Sequence, residues 1–421
     1  MEFRFIDNSA PLDGQSRRLI RSHAMMGKNL GRIIPARGRK KRQCQEVIRM
    51  PSPYNPFAGA EFSYFALPTP LTPAMRYLFY QLFHCGLAMT GAHVSVFRGH
   101  PDEALEVTRH LSQALRLLRR DLNTAAVPQD PSVAVVISLV IYANLSGAVR
   151  ESCIHLDGLQ RILELRPGGL EALRVRNREL MNKIRRADME LALLAGTPTR
   201  FGPQHAPATL RVVSSLSNEP LPYPLSQSCA ALQHTTLDIM ALCHYARDAV
   251  QLDPYHYQDI IISISQRLVD FAPLSGARPS HQLDDMCQLG LLAFMTTVLY
   301  RTGRMRSIYS RLLSELLRAR LDDYDEGNGL ARAERYPLLR LWLVFFYAFS
   351  ASEGGQWCDT GSFAAGHVRA LAAALDLKTW KEVREHLSHF PWIAAWHDSP
   401  GKELWDLAHP RFGIEFATTE E

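Results

Sequence analysis

Apolar residues recur every three to four positions along most of the chain after residue 102, the period of a helix with one buried face. From Asp102 to Leu122 the stripe is Leu111, Leu115, Leu118 and Leu122, with Arg109, Gln113, Arg116 and Arg120 between, and Pro101 suits the first turn. Asp130-Pro131 reads as a cap and first-turn pair opening a helix through Ala143. The run Val133–Leu145 is too short to span a bilayer and carries Ser138 and Asn144, so it predicts a buried helix. Val149–Leu165 should turn Cys153, Leu156, Leu159 and Leu163 inward and stop at Pro167-Gly168-Gly169. Leu170–Leu194 reads as one long helix with a basic outer face of Arg174, Arg178, Lys183, Arg185 and Arg186. Helical periods resume at Leu232–Val250, Tyr257–Phe271, Leu283–Thr302, Arg306–Leu321, Tyr336–Ser350, His367–Leu375 and Trp380–His389. Gly303 is placed as a helix stop. No stretch alternates as a strand between regular turns, and no 34-residue repeat is visible, so the predicted fold class is all-α.

The segments between the helices set the organisation. Residues 1–50 lack helical periodicity and read as a largely disordered arm. Residues 51–73 hold six prolines among Tyr54, Phe57, Phe62 and Phe65 and read as a connector. Residues 74–421 form the helical body, interrupted by a Pro-rich loop at 196–228.

Charge changes this picture. Residues 1–43 hold eleven Lys/Arg against three acids, a balance of +8, which leaves 36 basic and 39 acidic residues, −3, for the remainder. The cations Arg17, Arg18, Arg21, Lys28, Arg32, Arg37, Arg39, Lys40, Lys41 and Arg42 are the candidate contact residues. Cations in a flexible arm displace counterions from nucleic acid, so the arm suits non-specific, salt-steep DNA contact. Arg37-Gly38-Arg39 suits a narrow A·T minor groove, although Lys40 stands where the usual hook has proline. The same residues suit an import receptor, and a solvated tail has the same composition. The arm reads first as an import address and second as a DNA contact. Seven scattered cysteines without a CxxC pair, and no signal peptide, point to a reducing compartment, cytosol or nucleus.

Four stretches carry a likeness to a known family: "IRSHAMMGKNLGR" at Ile20–Arg32, "HLDGLQRILELRPGGLEAL" at His155–Leu173, "RRADMELALLAGTPTRF" at Arg185–Phe201 and "EVREHLSHFPWIAAWHDSPGKELW" at Glu382–Trp405. In this order they resemble the fungal-specific transcription factor domain, the regulatory part of fungal binuclear-zinc-cluster regulators. The resemblance implies an all-α nuclear body that regulates transcription, pairs with itself or with other transcription factors, or senses a ligand, with no membrane partner and no cofactor. The family's zinc cluster needs six closely spaced cysteines, and only Cys44 precedes Cys85 here. The likeness is therefore to a subgroup without that module, and metal-dependent DNA reading does not carry over.

Signals for chemistry are sparse. "DDYDE" at Asp322–Glu326 matches a magnesium-holding pattern of helical cyclases, with Asp322, Asp323 and Glu326 as ligands, but its second motif is absent and Gly327-Asn328-Gly329 follows at once. His386 and His389 lie one turn apart with His397 and Asp398 beyond, without a carboxylate to complete a known metal spacing. Cys153 and His155 point to different helix faces, which does not suit a nucleophile–base pair. Trp342–Phe349 is more simply core than ligand cavity. No catalytic, cofactor or metal residue is assigned.

Overall fold

The structure is a computed structural model that describes Gly86 and residues 104–124, 128–202, 221–247, 253–300, 303–322, 336–351 and 359–410, all within the unit 65–421. The arm, the connector and Pro101 lie outside the described residues. Among those described there are thirteen α-helices, one 3₁₀ turn at Leu225–Gln227 and no strand. The all-α class expected from the pattern holds.

The first five helices are α1 (Ala104–Thr124), α2 (Asp130–Leu145), α3 (Val149–Glu164), α4 (Gly169–Arg176) and α5 (Arg178–Ala195). They share a core that includes Val133, Val140, Leu156, Leu159, Leu173, Ile184 and Leu191. α2 is apolar around its whole circumference and is buried on all sides. Its Asn144 is fully buried, donates to the Ala187 carbonyl at 3.0 Å and accepts from Ser152 Oγ at 2.6 Å. The α1 stripe is narrower than its period suggested: Leu118 is buried, while Leu115 and Leu122 are 40% and 37% exposed.

The expected long helix at 170–194 is two helices. Asn177 leaves helical geometry at φ −142° and accepts the Leu180 N–H at 3.1 Å, which caps α5. Asp130 is not the cap of α2, since Gln129 holds that place. Its carboxylate instead gathers Arg166, Arg176 at 2.8 Å and Asn177 at 3.3 Å, pinning the start of α2 to the break before α5. Burial pushes this carboxyl up, but the hydrogen bonds from Arg166, Asn177 and Arg176 outweigh it and hold the group below the usual carboxylate range.

The remaining helices are α6 (Ala230–Arg247), α7 (Pro254–Phe271), α8 (Gln282–Leu299), α9 (Gly303–Asp322), α10 (Pro337–Ala351), α11 (Asp359–Ala374), α12 (Trp380–Leu387) and α13 (Ala394–Ala408). Gly303 opens α9 rather than ending α8. The preceding helix stops at Leu299 because Tyr300 turns extended and stacks on Tyr309 at 4.8 Å. Residues 394–408, for which the pattern named no helix, form α13 although Pro400 removes a backbone donor inside it. Burial of His397, Leu404 and Trp405 holds the helix together through that defect. Gly401 allows the close approach there, since a Cβ on it would stand 2.6 Å from Trp380.

α8 and α10 form the centre of this half and are buried along nearly their full length. They cross at Gly290, where a Cβ would lie 2.2 Å from the Trp342 ring and 2.5 Å from Leu343. Trp342 is fixed in turn by donating Nε1–H to the Pro391 carbonyl at 3.1 Å. Gly290→Ala is therefore expected to lose about 1–3 kcal/mol by overpacking, seen as a lower urea midpoint at unchanged slope. Gly366→Ala, on helix α11 with nothing within 4 Å of a new Cβ, is the control and should be neutral or stabilising. Equal midpoints for the two variants would contradict this crossing.

Candidate functional site

A continuous group of buried polar side chains follows the 185–201 stretch. α5 must cover α2 on one side and α7 and α9 on the other, so it has no fully solvated face. Its polar residues consequently need partners inside the protein. Arg178 donates Nε–H to Asp259 on α7 at 2.8 Å. Arg185 forks onto Gln266 Oε1 at 3.1 and 2.8 Å, and Gln266 donates onward to the Phe201 carbonyl at 3.1 Å. The expected basic outer face of this segment therefore holds only in part. Arg174 and Arg178 are exposed and pair with Glu171 and with Asp259 on α7, whereas Arg185 is largely buried against α7.

After α5 the chain turns at Gly196, whose φ of +70° and lack of Cβ admit Ser275 at the helix end. The next residues fold back along the seam. Asp188 Oδ2 accepts the backbone N–H groups of Arg200 at 2.8 Å and Phe201 at 2.7 Å. Asp270 accepts both the N–H and the hydroxyl of Thr199, at 2.7 and 2.8 Å. Glu190 accepts from Arg186 at 3.0 Å. The phenols of Tyr300 and Tyr309 face Glu190, and burial first and its negative charge second push both well above the ordinary range. A separate buried carboxylate, Asp285, binds Arg278 at 2.8 Å and Arg320. These carboxylates are each occupied by guanidinium or amide donors. The arrangement fixes helices in register and orders the 196–202 turn, and it does not present a reacting group.

The other residues singled out in the sequence fall elsewhere. All ten arm cations, Arg17 to Arg42, lie outside the described residues. His386 and His389 are surface residues with ring centroids 6.5 Å apart. His397 is buried: its Nδ1 accepts the Ile393 N–H at 3.0 Å and its Nε2 lies 2.9 Å from Thr297 Oγ1, inside a ring of Phe294, Phe346, Phe349 and Trp392. That geometry selects the neutral Nε2–H tautomer. Asp398 is held by Arg384 at 2.7 Å and Trp392 Nε1 at 2.8 Å. Asp322 is the last residue of α9, and Asp323–Glu326 lie outside the described residues. Trp342–Phe349 is core throughout. Cys153 packs on the first-half core. The four described cysteines, Cys153, Cys229, Cys243 and Cys287, are free, and burial pushes the Cys243 thiol up to about 12. Among the described residues no group of three or more His, Cys, Asp or Glu could hold a metal ion.

The 185–201 stretch, whose polar side chains make this seam, is one of those that carried the family likeness, and a comparison with family models places it. Residues 44–195 match the fungal specific transcription factor domain. The match includes 155–173 and ends with α5, so it crosses 185–201, while 20–32 and 382–405 lie beyond it. No curated protein and no solved structure matches the chain. At the level of this family, the match supports a transcription-regulator-like role and implies a non-enzymatic one.

The Asp188 carboxyl is pushed up to about 6 by burial, against which the two N–H bonds from Phe201 and Arg200 act only in part. The folded chain then holds this proton more tightly than the unfolded one, whose carboxyl titrates near 3.9. The contribution of Asp188 to stability therefore falls as pH rises from about 4 to about 6. Asp188→Asn keeps an acceptor for both N–H groups without the charge. Its melting temperature should gain on the wild type between pH 4 and pH 7, while Asp188→Ala, which orphans both donors, should lose about 1–3 kcal/mol or more at every pH. A gap between Asn variant and wild type that does not change with pH would contradict the assignment.

Proposed function

We propose that this chain is a nuclear regulator of transcription whose helical body is the regulatory part and whose basic arm serves import and contacts DNA. The observation that carries the reading is the match of residues 44–195 to the fungal specific transcription factor domain. The arm's charge supports its second half: the +8 of residues 1–43 stands beside a remainder of −3, so attraction for a polyanion is concentrated in one segment. Among the described residues no helix is long and apolar enough to cross a membrane.

A second reading has its own observation. Cys44 is the single cysteine before Cys85 in this sequence, too few for a six-cysteine zinc cluster. In that reading the chain pairs with a zinc-cluster factor, which reads the DNA, and the arm acts only in import.

Binding of the full chain to A·T-rich and mixed duplexes across a salt series separates the two. If about half of the ten cations engage phosphates, the slope of log K against log salt should be about −4 to −5. Replacing Arg37, Arg39, Lys40, Lys41 and Arg42 with Ala should flatten that slope and weaken binding on both duplexes, and most on the A·T-rich one if Arg37-Gly38-Arg39 enters the minor groove. No binding at low salt would remove direct DNA contact and favour the partner reading.

A further inference from the structure

α1 turns its apolar stripe onto α2, with Ala114 and Leu118 buried in the first-half core and Leu111 packed against it. The opposite side carries Arg109, Arg116 and Arg120, which stand at i, i+7 and i+11 and so share one helix face. Arg119 flanks them, and all four are exposed. From Arg109 to Arg120 the stripe runs about 16 Å along the axis, at the usual rise per residue. The helix has no lysine, and its acids are Glu106 and Asp121.

This face differs from the other charged faces of the body. On α4, α9 and α13 exposed cations are answered by a carboxylate one turn away: Arg174 by Glu171 at 2.5 Å, Arg311 by Glu315 at 3.2 Å and Lys402 by Asp406 at 2.5 Å. Among the described residues, Arg109, Arg116 and Arg119 make no ion pair and no side-chain hydrogen bond. Like charges three and four residues apart, here Arg116 with Arg119 and with Arg120, repel one another and weaken a helix. The hold of α1 on the body comes from its apolar side and does not call for these cations. A line of unrelieved positive charge is complementary to a line of negative charge.

The chemistry of the face selects the partner. The planar guanidinium fork donates two parallel N–H groups to phosphate oxygens, which an ammonium cannot do. Duplex DNA carries one negative charge per about 1.7 Å of its axis, so several phosphates lie within the length of this stripe. A bilayer would instead take the apolar side of α1, most of which α2 already covers. We infer that the arginine face of α1 is a second DNA-contacting surface, which binds the phosphate backbone of a duplex without reading its bases. It goes beyond the arm, because it places a contact on the folded body and stands or falls separately from the contact proposed for residues 17–42.

The test measures binding of the full chain to a labelled mixed-sequence duplex across a potassium chloride series. Arg109→Gln, Arg116→Gln and Arg119→Gln together should weaken binding at least tenfold and flatten the slope of log K against log salt by about 2 to 3. Their melting temperature should equal or exceed that of the wild type, since repulsion on α1 is relieved. Arg174→Gln, Arg311→Gln and Lys402→Gln together remove the same three charges from paired sites and should change binding less than twofold. Replacing Arg37, Arg39, Lys40, Lys41 and Arg42 with Ala should leave binding that the α1 substitutions then abolish. If the α1 variant binds as the wild type does while the arm variant does not, the inference is overturned and the arm reading stands. If the arm variant binds as the wild type does while the α1 variant does not, the arm reading fails and the α1 surface holds. An equal loss in the paired-site control, or a lower melting temperature of the α1 variant, overturns the surface as a product of net charge or of folding. Weaker binding to phosphatidylserine vesicles with duplex binding unchanged would make it a membrane surface and also overturns the inference. No binding of the full chain at low salt overturns both contacts.

Discussion

A helix covered on two sides has to place its charges inside the protein, and α5 is that helix. α2 covers one side of it, α7 and α9 the other. Its Arg185, Asp188 and Glu190 are answered by Gln266, by the backbone of Arg200 and Phe201, and by Arg186. A buried charge left without such partners costs several kcal/mol, more than one side chain's apolar burial returns. The two halves of the body are thereby required to meet in one register. The turn at 196–202, tied to α5 through Asp188 and to α7 through Asp270, follows from the same requirement.

Much of the fold was legible because apolar period and apolar continuity are local properties. α2 and the Trp342–Phe349 stretch of α10 read as buried because their apolar residues run on without a polar face, and they are. The Pro167-Gly168-Gly169 stop was legible because Gly168 at φ +73° needs a residue without Cβ. What was lost depended on contacts distant in sequence. The break at Asn177 looks like an ordinary helical position until Asp130, 47 residues away, is seen to hold its amide. Arg185 looks like a solvent-facing cation until Gln266, 81 residues away, is placed. α13 carries Pro400, whose penalty is local while the packing of Leu404 and Trp405 that offsets it is not.

The functional signals divide in the same way. His386, His389 and the acidic end of α9 draw attention as residue types, yet the described geometry gives the histidines no third ligand. The family match supports a transcription-regulator-like role; the described body contributes a frame in which the matched segment is completed by helices outside it.

That completion is the central claim, and the behaviour of residues 44–195 alone tests it most directly. Freed from α7 and α9, α5 would expose the apolar and charged groups they cover. Circular dichroism during heating of the isolated segment should show a broad, non-cooperative loss of helix, where the full chain shows a cooperative transition. A cooperative transition of the segment alone, at the melting temperature of the full chain, would contradict the account.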